Sequence, residues 1–187
     1  KATVTSEIEF EYLVRGNVTS VTPADGQDGT LVLIEGENLR GGGEAVATVS
    51  LGGVEALIES ENTTHVFVRA NAFESAGVGA VALVADSGAF VTLEDGWSYL
   101  EPGAITDVSP AVGQLNTVVT ITGERLLLGG DELISVTLAN EVAEIMEQTD
   151  GKVLFRAPSS AAKSGAIVLT ADSGAVHQEN DAWTFAE

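Results

Sequence analysis

The chain has 187 residues and a formal charge of −20, because 28 aspartate and glutamate side chains face only 8 lysines and arginines. So acidic a protein repels phosphate backbones, and we therefore expect no nucleic-acid partner. No stretch reaches the roughly 18 consecutive apolar residues of a membrane span, so we expect no membrane contact from this segment. Zero cysteines exclude disulfides, thiolate metal sites and cysteine nucleophiles, whereas a hydrophobic fraction of 44% is typical of a chain with a packed core.

The first segment, residues 1–14, contains the alternating stretch "TVTSEIEFEYL". Residues 2–26 align without a gap on residues 89–113, so that "FEY" at 10–12 corresponds to "WSY" at 97–99. We interpret residues 1–14 as the final strand of an upstream repeat, and the chain as a mature product or a segment of a longer array. The alternative is that this strand is donated to a neighbouring subunit and completes its sandwich by strand addition.

The rest of the chain reads as two copies of one domain, at residues 15–101 and 102–187. Pro23 matches Pro110, 87 positions later, and after one deletion near residue 160 the offset becomes 86. The pentapeptide "ADSGA" at 85–89 then falls on "ADSGA" at 171–175, and Trp97 falls on Trp183. Internal repetition over this length indicates tandem domains.

Each copy is predicted to consist of β-strands. "TLVLIE", "VATVSL", "VFVRA", "GAVALVA" and "DGWSYL" follow one another as short β-branched or aromatic runs between Gly, Asp and Pro. Weak helical spacing occurs in "EVAEIMEQ", but its counterpart "GVEALIES" alternates and contains glycine, so both are predicted as strands. About seven strands in 85 residues indicate an immunoglobulin-like β-sandwich, and the i, i+2 pairs Trp97/Tyr99 and Trp183/Phe185 should face its core.

The repeated "ADSGA" stands between an apolar strand and the aromatic final strand. Aspartate accepts hydrogen bonds from backbone N–H groups two or three residues further on, and glycine tolerates positive φ. The pentapeptide therefore predicts a hairpin turn in each copy rather than half of a catalytic or metal-binding motif.

The stretches "VTSVTPADGQDGTLVLIEGENL" and "ITDVSPAVGQLNTVVTITGERL", together with the closing Gly…Trp-x-Tyr/Phe strand, resemble the IPT/TIG domain family. The resemblance covers both copies and implies tandem immunoglobulin-like sandwiches. Members that bind DNA do so through an attached basic region, which this acidic chain lacks. The remaining branches are extracellular, which implies a location at the cell surface or outside the cell.

One difference between the copies predicts an interface. In "TLVLIE" the positions that match the family's inward residues are Val32 and Ile34, which leaves Leu31 and Leu33 pointing outward, and Phe67 points outward from a strand that neighbours theirs in the family. Together they would form an apolar patch on a face that is usually polar. Rel-type members dimerise through this sheet, so the resemblance implies lateral contact with other copies of the same or related surface proteins; the alternative is cover by a neighbouring loop or domain.

Other candidate sites carry weaker signals. Asn17-Val18-Thr19 and Asn62-Thr63-Thr64 satisfy the N-glycosylation pattern, and Asn62, in a polar loop, is the better acceptor. "ADGQDG" at 24–29 is faintly like a calcium loop, but the second copy reads "AVGQLN", so we expect only weak, diffuse calcium binding and no cofactor. His65 and His177 are interpreted as solvated surface histidines.

No motif of a hydrolase, zinc protease or nucleotide-binding enzyme is present, so the chain is predicted not to be an enzyme. The leading hypothesis is an extracellular structural or adhesive module of a tandem array, such as a surface filament, adhesin or stalk. Its short linkers would stack domains end to end and its patch would bundle them. The alternatives are an accessory module of a secreted polysaccharide-active enzyme and a receptor segment that binds a protein ligand.

Overall fold

The computed structural model describes residues 14–73 and 75–186, so the interpretation of residues 1–14 lies almost wholly outside the described residues. Alternating, β-branched segments form strands throughout, as predicted, and the two copies form two sandwiches, which we call domain 1 and domain 2. The strands of domain 1 are β1 (Asn17–Thr22), β2 (Asp25–Gly26), β3 (Leu31–Glu37), β4 (Val46–Leu51), β5 (Val54–Glu61), β6 (His65–Arg69), β7 (Gly77–Ala85) and β8 (Phe90–Tyr99).

Domain 2 repeats this order with one strand divided in two. Its strands are β9 (Ala104–Ser109), β10 (Val112–Gly113), β11 (Val118–Glu124), β12 (Leu133–Leu138), β13 (Glu141–Val142), β14 (Glu144–Thr149), β15 (Lys152–Arg156), β16 (Lys163–Ala171) and β17 (Val176–Phe185). Among the described residues no helix is long and apolar enough to cross a membrane.

The two sheets of domain 1 share strand β5. Its first residues pair with β4 and its later residues with β6, so the eight strands form one continuous hydrogen-bonded series in the order β1-β3-β6-β5-β4-β7-β8-β2. In domain 2 the same segment, "EVAEIMEQ", is interrupted at the buried Ala143. Strand β13 joins the sheet β10-β17-β16-β12-β13, whereas β14 joins the sheet β14-β15-β11-β9. The prediction that this segment is extended rather than helical is confirmed.

The core of each domain lies between its sheets, where the inward residues of both sheets meet. Trp97 and Tyr99 are buried in domain 1, Trp183 and Phe185 in domain 2, as the i, i+2 spacing predicts. The ring centroids of the two pairs are 5.6 and 5.5 Å apart, and in both pairs the planes meet at 83°. The edge-to-face geometry that aromatic quadrupoles favour is therefore reproduced in both copies.

Each "ADSGA" forms a hairpin turn, as predicted, but its aspartate also accepts a hydrogen bond from a residue that is far away in the sequence. Gly88 (φ +82°) and Gly174 (φ +86°) occupy the left-handed positions of the two turns. Asp86 accepts a hydrogen bond from the backbone N–H of Glu44, 3.0 Å away, and Asp172 accepts one from Asp131 at 3.0 Å. The carboxylate thus joins its turn to the loop before the facing strand, 42 or 41 residues earlier, in addition to any local bond.

Candidate functional site at the domain junction

The two domains are joined by backbone hydrogen bonds between a loop of domain 1 and the second hairpin turn. The N–H of Leu31 donates to the carbonyl of Ser173 at 3.0 Å, and the N–H of Val176 donates to the carbonyl of Asp28 at 3.0 Å. The repeated pentapeptide is therefore both a turn within domain 2 and a contact with domain 1. Nothing in the side chains of the motif signals this second role.

Two glycines permit the close approach of these backbones. Gly29 has φ +84° and Gly174 has φ +86°, a region that residues with a Cβ adopt only with strain. A Cβ added to Gly29 would lie 2.8 Å from the carbonyl oxygen of Gly174. A Cβ on Gly174 would lie 3.1 Å from the carbonyl oxygen of Gly29 and 3.3 Å from the nitrogen of Leu31. Larger residues at either position would push the two backbone segments apart.

The linker between the domains is held from both sides. From domain 1, the side-chain oxygen of Gln27 accepts a hydrogen bond from the N–H of Gly103 at 3.2 Å. From domain 2, Nε of Arg125 donates to the carbonyl of Pro102 at 3.0 Å. Because both bonds end on backbone atoms, they fix the course of the linker and not merely the position of a side chain.

A cleft of about 280 Å³ lies between the domains beside these contacts. Domain 1 supplies Gln27, Asp28, Phe73 and Tyr99, and domain 2 supplies His177. The rings of Phe73 and Tyr99 are 5.0 Å apart and tilted by 38°. The cleft therefore combines two aromatic rings with a carboxylate, an amide and an imidazole.

Three polar atoms of the side chains that line this cleft are buried without a hydrogen-bond partner among the described residues: Nε2 of Gln27, the hydroxyl of Tyr99 and Nε2 of His177. Gln27 is 5% exposed and Tyr99 is 3% exposed. Buried polar groups are nearly always paired, because an unpaired one loses its water without compensation. All three atoms are closed off from the solvent in the cleft, as are the indole nitrogens of the core residues Trp97 and Trp183.

The interpretation of His177 as a solvated surface residue is wrong. Its side chain is 21% exposed, and Nε2 is 3.9 Å from a carboxylate oxygen of Glu179, too far for a hydrogen bond. Burial lowers the pKa of His177 and the charge of Glu179 opposes this. Burial also raises the pKa of the Tyr99 hydroxyl, with a further contribution from the charge of Asp28. His65 lies nearer the surface, with 45% of its side chain exposed.

The structure orients the residues of the predicted patch as expected. Leu31 is 40% exposed, Phe67 is 37% exposed, and Leu33 is half-buried. Leu33 lies directly opposite Phe67 across the β3–β6 pair, whereas Leu31 lies opposite Arg69. The exposed Leu57, opposite Arg69 on its other side, extends the apolar surface beyond the three predicted residues. Whether these residues form an interface remains a prediction.

Both asparagines of the glycosylation pattern are exposed. Asn17 begins strand β1, and Asn62 lies in the turn between β5 and β6. The side-chain oxygen of Asn62 accepts hydrogen bonds from the backbone N–H groups of Thr64 and His65, at 2.8 and 2.9 Å. Modification of either residue stays a prediction.

The stretch at 24–29, which faintly resembles a calcium loop, is not joined by a third acidic side chain from another part of the described structure. In the part of the chain that the structure describes, no group of three or more His, Cys, Asp or Glu side chains is placed to hold a metal ion. The expectation of weak calcium binding is untested.

The model of the IPT/TIG domain family matches residues 17–96 and 104–185. A structure of the full extracellular region of plexin A4 is similar, with a TM-score of 0.56 and 20% identity over 92% of this chain and 16% of that chain. SGBP-B from a complex xyloglucan utilization locus in Bacteroides uniformis is a more remote neighbour, with a TM-score of 0.38 and 16% identity over 90% of this chain and 49% of that chain.

This chain therefore spans about a sixth of the plexin chain and half of SGBP-B. No curated protein matches it. At 20% identity the plexin A4 structure agrees with this chain in fold alone. The family model, by contrast, matches each of the two copies over nearly its whole length. The chain belongs to the IPT/TIG domain family and contains two tandem IPT/TIG domains.

Proposed function

We propose that the chain is a non-enzymatic, extracellular structural module of a tandem array, such as a surface filament, adhesin or stalk. The observation that carries the proposal is the junction, in which backbone groups of Asp28 and Leu31 bind backbone groups of Ser173 and Val176. A contact built from main-chain atoms depends on the two backbone shapes, and the hairpin turn of domain 1 keeps the glycine of this contact as Gly88, whereas the outer loop of domain 2 has Asn116, also at positive φ, in place of Gly29. Such a protein acts by holding neighbouring domains in one relative orientation.

The short linker supports this mechanical role. Gly103 and Pro102 are bound to domains 1 and 2 respectively. A tethered chain fixed at successive backbone atoms cannot behave as a flexible coil. The two domains then transmit force as one rod, and a rod is useful to a protein that must project a distance from a surface.

Lateral association is the second part of the proposal. Leu31, Leu33 and Phe67 provide an apolar face on the sheet of β1, β3, β6 and β5, and Leu57 enlarges it. The opposing partner we propose is another copy of the same or a related surface protein. With a net charge of −20, other faces of the protein repel one another, whereas on this face the charge of Arg69, between Leu31 and Leu57, is paired with Glu59.

The extracellular location is the third part of the proposal. It is supported by the fold shared with the extracellular region of plexin A4 and by the exposed Asn62 and Asn17, which are suited to glycosylation.

Residual dipolar couplings of the purified chain test the central idea. In a stiff pair, couplings from the amides of both domains fit one alignment tensor of equal magnitude and orientation. Two tensors of different magnitude would show independent domain motion and would leave the proposed mechanical role without support.

A further inference from the structure

The chain contains a second hairpin and a second loop of the kind that meet at the junction, and both lie outside it. In the outer hairpin, the turn of domain 1, the N–H of Gly88 donates to the carbonyl of Ala85 at 2.9 Å, as that of Gly174 does to the carbonyl of Ala171 at 3.0 Å. The φ angles of the two glycines are +82° and +86°. The outer hairpin therefore presents the same backbone shape that binds a loop at the junction.

The surface of the outer hairpin is accessible to a partner. A Cβ added to Gly88 meets no other atom of the described residues within 4 Å, whereas a Cβ on Gly174 meets the carbonyl oxygen of Gly29. Phe90, the counterpart of Val176, is exposed beside the turn. A docked loop would cover this aromatic side chain, and burial of apolar surface would add to the backbone hydrogen bonds.

The chain enters domain 1 in the same way as it enters domain 2. Gly16 precedes β1 and its counterpart Gly103 precedes β9. A Cβ on Gly16 would lie 2.5 Å from the carbonyl oxygen of Asn38, and a Cβ on Gly103 would lie 2.7 Å from that of Arg125, the counterpart of Asn38. A domain joined to domain 1 through Gly16 would therefore reach the outer hairpin as domain 1 reaches the hairpin of domain 2.

The outer loop of domain 2 differs from the loop at the junction by one side chain on the same backbone. Asn116 replaces Gly29, at φ +68° against +84°. Its N–H donates to the carbonyl of Ala157 at 3.0 Å, as that of Gly29 does to the carbonyl of Ala70 at 2.9 Å. A Cβ at Gly29 would lie 2.8 Å from the carbonyl oxygen of Gly174. The Cβ of Asn116 would therefore collide with a hairpin that docked in this way.

We propose that the outer hairpin of domain 1 is a docking site for another IPT/TIG domain, one whose loop has a glycine at the position of Gly29. Asn116 prevents the same contact at the opposite end, so the outer loop of a second copy is not the partner. A stiff stack then extends from domain 2 through domain 1 to a preceding domain, and it ends at domain 2. This docking rests on the proposed mechanical function, because it uses the same backbone contact, and it gives the stack a direction.

Two copies of the chain in one polypeptide test both parts of the proposal. Residues 1–187 are followed directly by residues 15–187, so that the new linker Glu-Arg-Gly has the register of Glu-Pro-Gly at 101–103. The outer loop of the first copy, with Asn116, then meets the outer hairpin of the second copy, with Gly88. The tether removes most of the entropic cost of bringing the two surfaces together.

Distances between spin labels, measured by double electron–electron resonance, show whether the new junction closes. The sequence has no cysteine, and Ala47 and Ile134 are exposed at equivalent positions of β4 and β12. Ala47→Cys and Ile134→Cys within one copy span the natural junction and give the reference distribution. Ile134→Cys in the first copy and Ala47→Cys in the second span the new junction, and an identical stack gives the same distances.

The two versions of the outer loop should give different results. With Asn116 unchanged, we expect the distribution across the new junction to be shifted and broader than the reference. Asn116→Gly in the first copy should bring it onto the reference. Adding Gly88→Gln in the second copy should then remove the match, because the effect depends on the hairpin and not on a more flexible loop.

Two results would overturn the proposal. If Asn116→Gly does not bring the distribution onto the reference, the outer hairpin is not a docking site of this kind. If the fusion with Asn116 already matches the reference, Asn116 is not the barrier. A broad reference distribution would instead contradict the proposed mechanical function, so the two failures are distinguishable.

Discussion

Substitution of Gly174 by glutamine should open the junction without unfolding either domain. Any side chain at Gly174 enters the space occupied by the carbonyl of Gly29 and the nitrogen of Leu31, 3.1 and 3.3 Å from the added Cβ. Separation of the backbones breaks the hydrogen bonds from Leu31 to Ser173 and from Val176 to Asp28. Each is worth about 0.5–1.5 kcal/mol, so closure of the junction loses about 1–3 kcal/mol.

The matching position in domain 1 provides the control. Gly88 has φ +82° against +86° for Gly174, so a side chain imposes the same backbone strain of about 1–3 kcal/mol at both sites. A Cβ at Gly88 meets nothing within 4 Å. The difference between Gly174→Gln and Gly88→Gln therefore isolates the contact between the domains.

Hydrogen exchange measures this difference directly. The amides of Leu31 and Val176 are donors across the junction, so their exchange reports its opening. A loss of about 1–3 kcal/mol corresponds to exchange faster by roughly 5- to 150-fold in Gly174→Gln, with core amides such as that of Leu83 unchanged. Equal rates in Gly174→Gln and Gly88→Gln would show that the junction does not hold the domains together.

Three further outcomes follow from the same geometry. Leu33→Asp should abolish self-association measured by light scattering, whereas the matched Thr120→Asp should not; equal effects would exclude the patch as an interface. Asp172→Ala, which removes the acceptor of the Asp131 N–H, should destabilise domain 2 by about 1–3 kcal/mol in urea denaturation, and Asp172→Asn, which retains an oxygen, should recover most of it. Burial lowers the pKa of His177 below its ordinary 6.5, so below that pH the unfolded chain binds more protons than the folded chain and the free energy of unfolding falls as the pH falls. The melting temperature of the protein, relative to that of His177→Val, should therefore drop between pH 7 and pH 5. Parallel melting profiles of the two proteins over this range would contradict the prediction.

The fold was predictable because its signals are local and occur twice. Alternation around Val32 and Ile34, and the spacing of Trp97 and Tyr99, place side chains on one side of a strand whatever the rest of the chain does. The repeat doubles each signal. For this reason even the ambiguous segment at 141–148 could be assigned from its partner at 54–61.

The junction was not predictable, because backbone atoms form it. The carbonyls of Asp28 and Ser173 are the same in every residue, so no pattern of side chains marks them as partners. The hydrogen bond that the aspartate of "ADSGA" accepts from a distant loop was not predictable for a related reason, because it joins residues about 40 positions apart in the sequence. Short-range turn chemistry explains the turn but contains no information about a distant loop.

Some residues that line the cleft differ between the two copies of the domain, but they match no known motif. His177 has no equivalent histidine in the other copy, which suggested an unimportant surface residue. His177 lines the cleft together with Tyr99 and Asp28, which also differ from their counterparts and are distant from it in the sequence. These three polar residues, whose counterparts in the other copy are apolar, come together only in space, so their proximity cannot be predicted without the contact between the domains.

The junction joins two different surfaces, a loop on one domain and a hairpin on the next, and each domain has both. The outer hairpin presents Phe90, 62% exposed, and the outer loop presents Leu115, 55% exposed. Repetition of a head-to-tail contact generates a closed ring or an open helix, according to the rotation that relates one domain to the next. Where neighbouring domains keep the glycines of this contact, each would turn by the same angle and advance by the same step, so the loop, the hairpin and the linker contacts would together set the dimensions of the whole assembly.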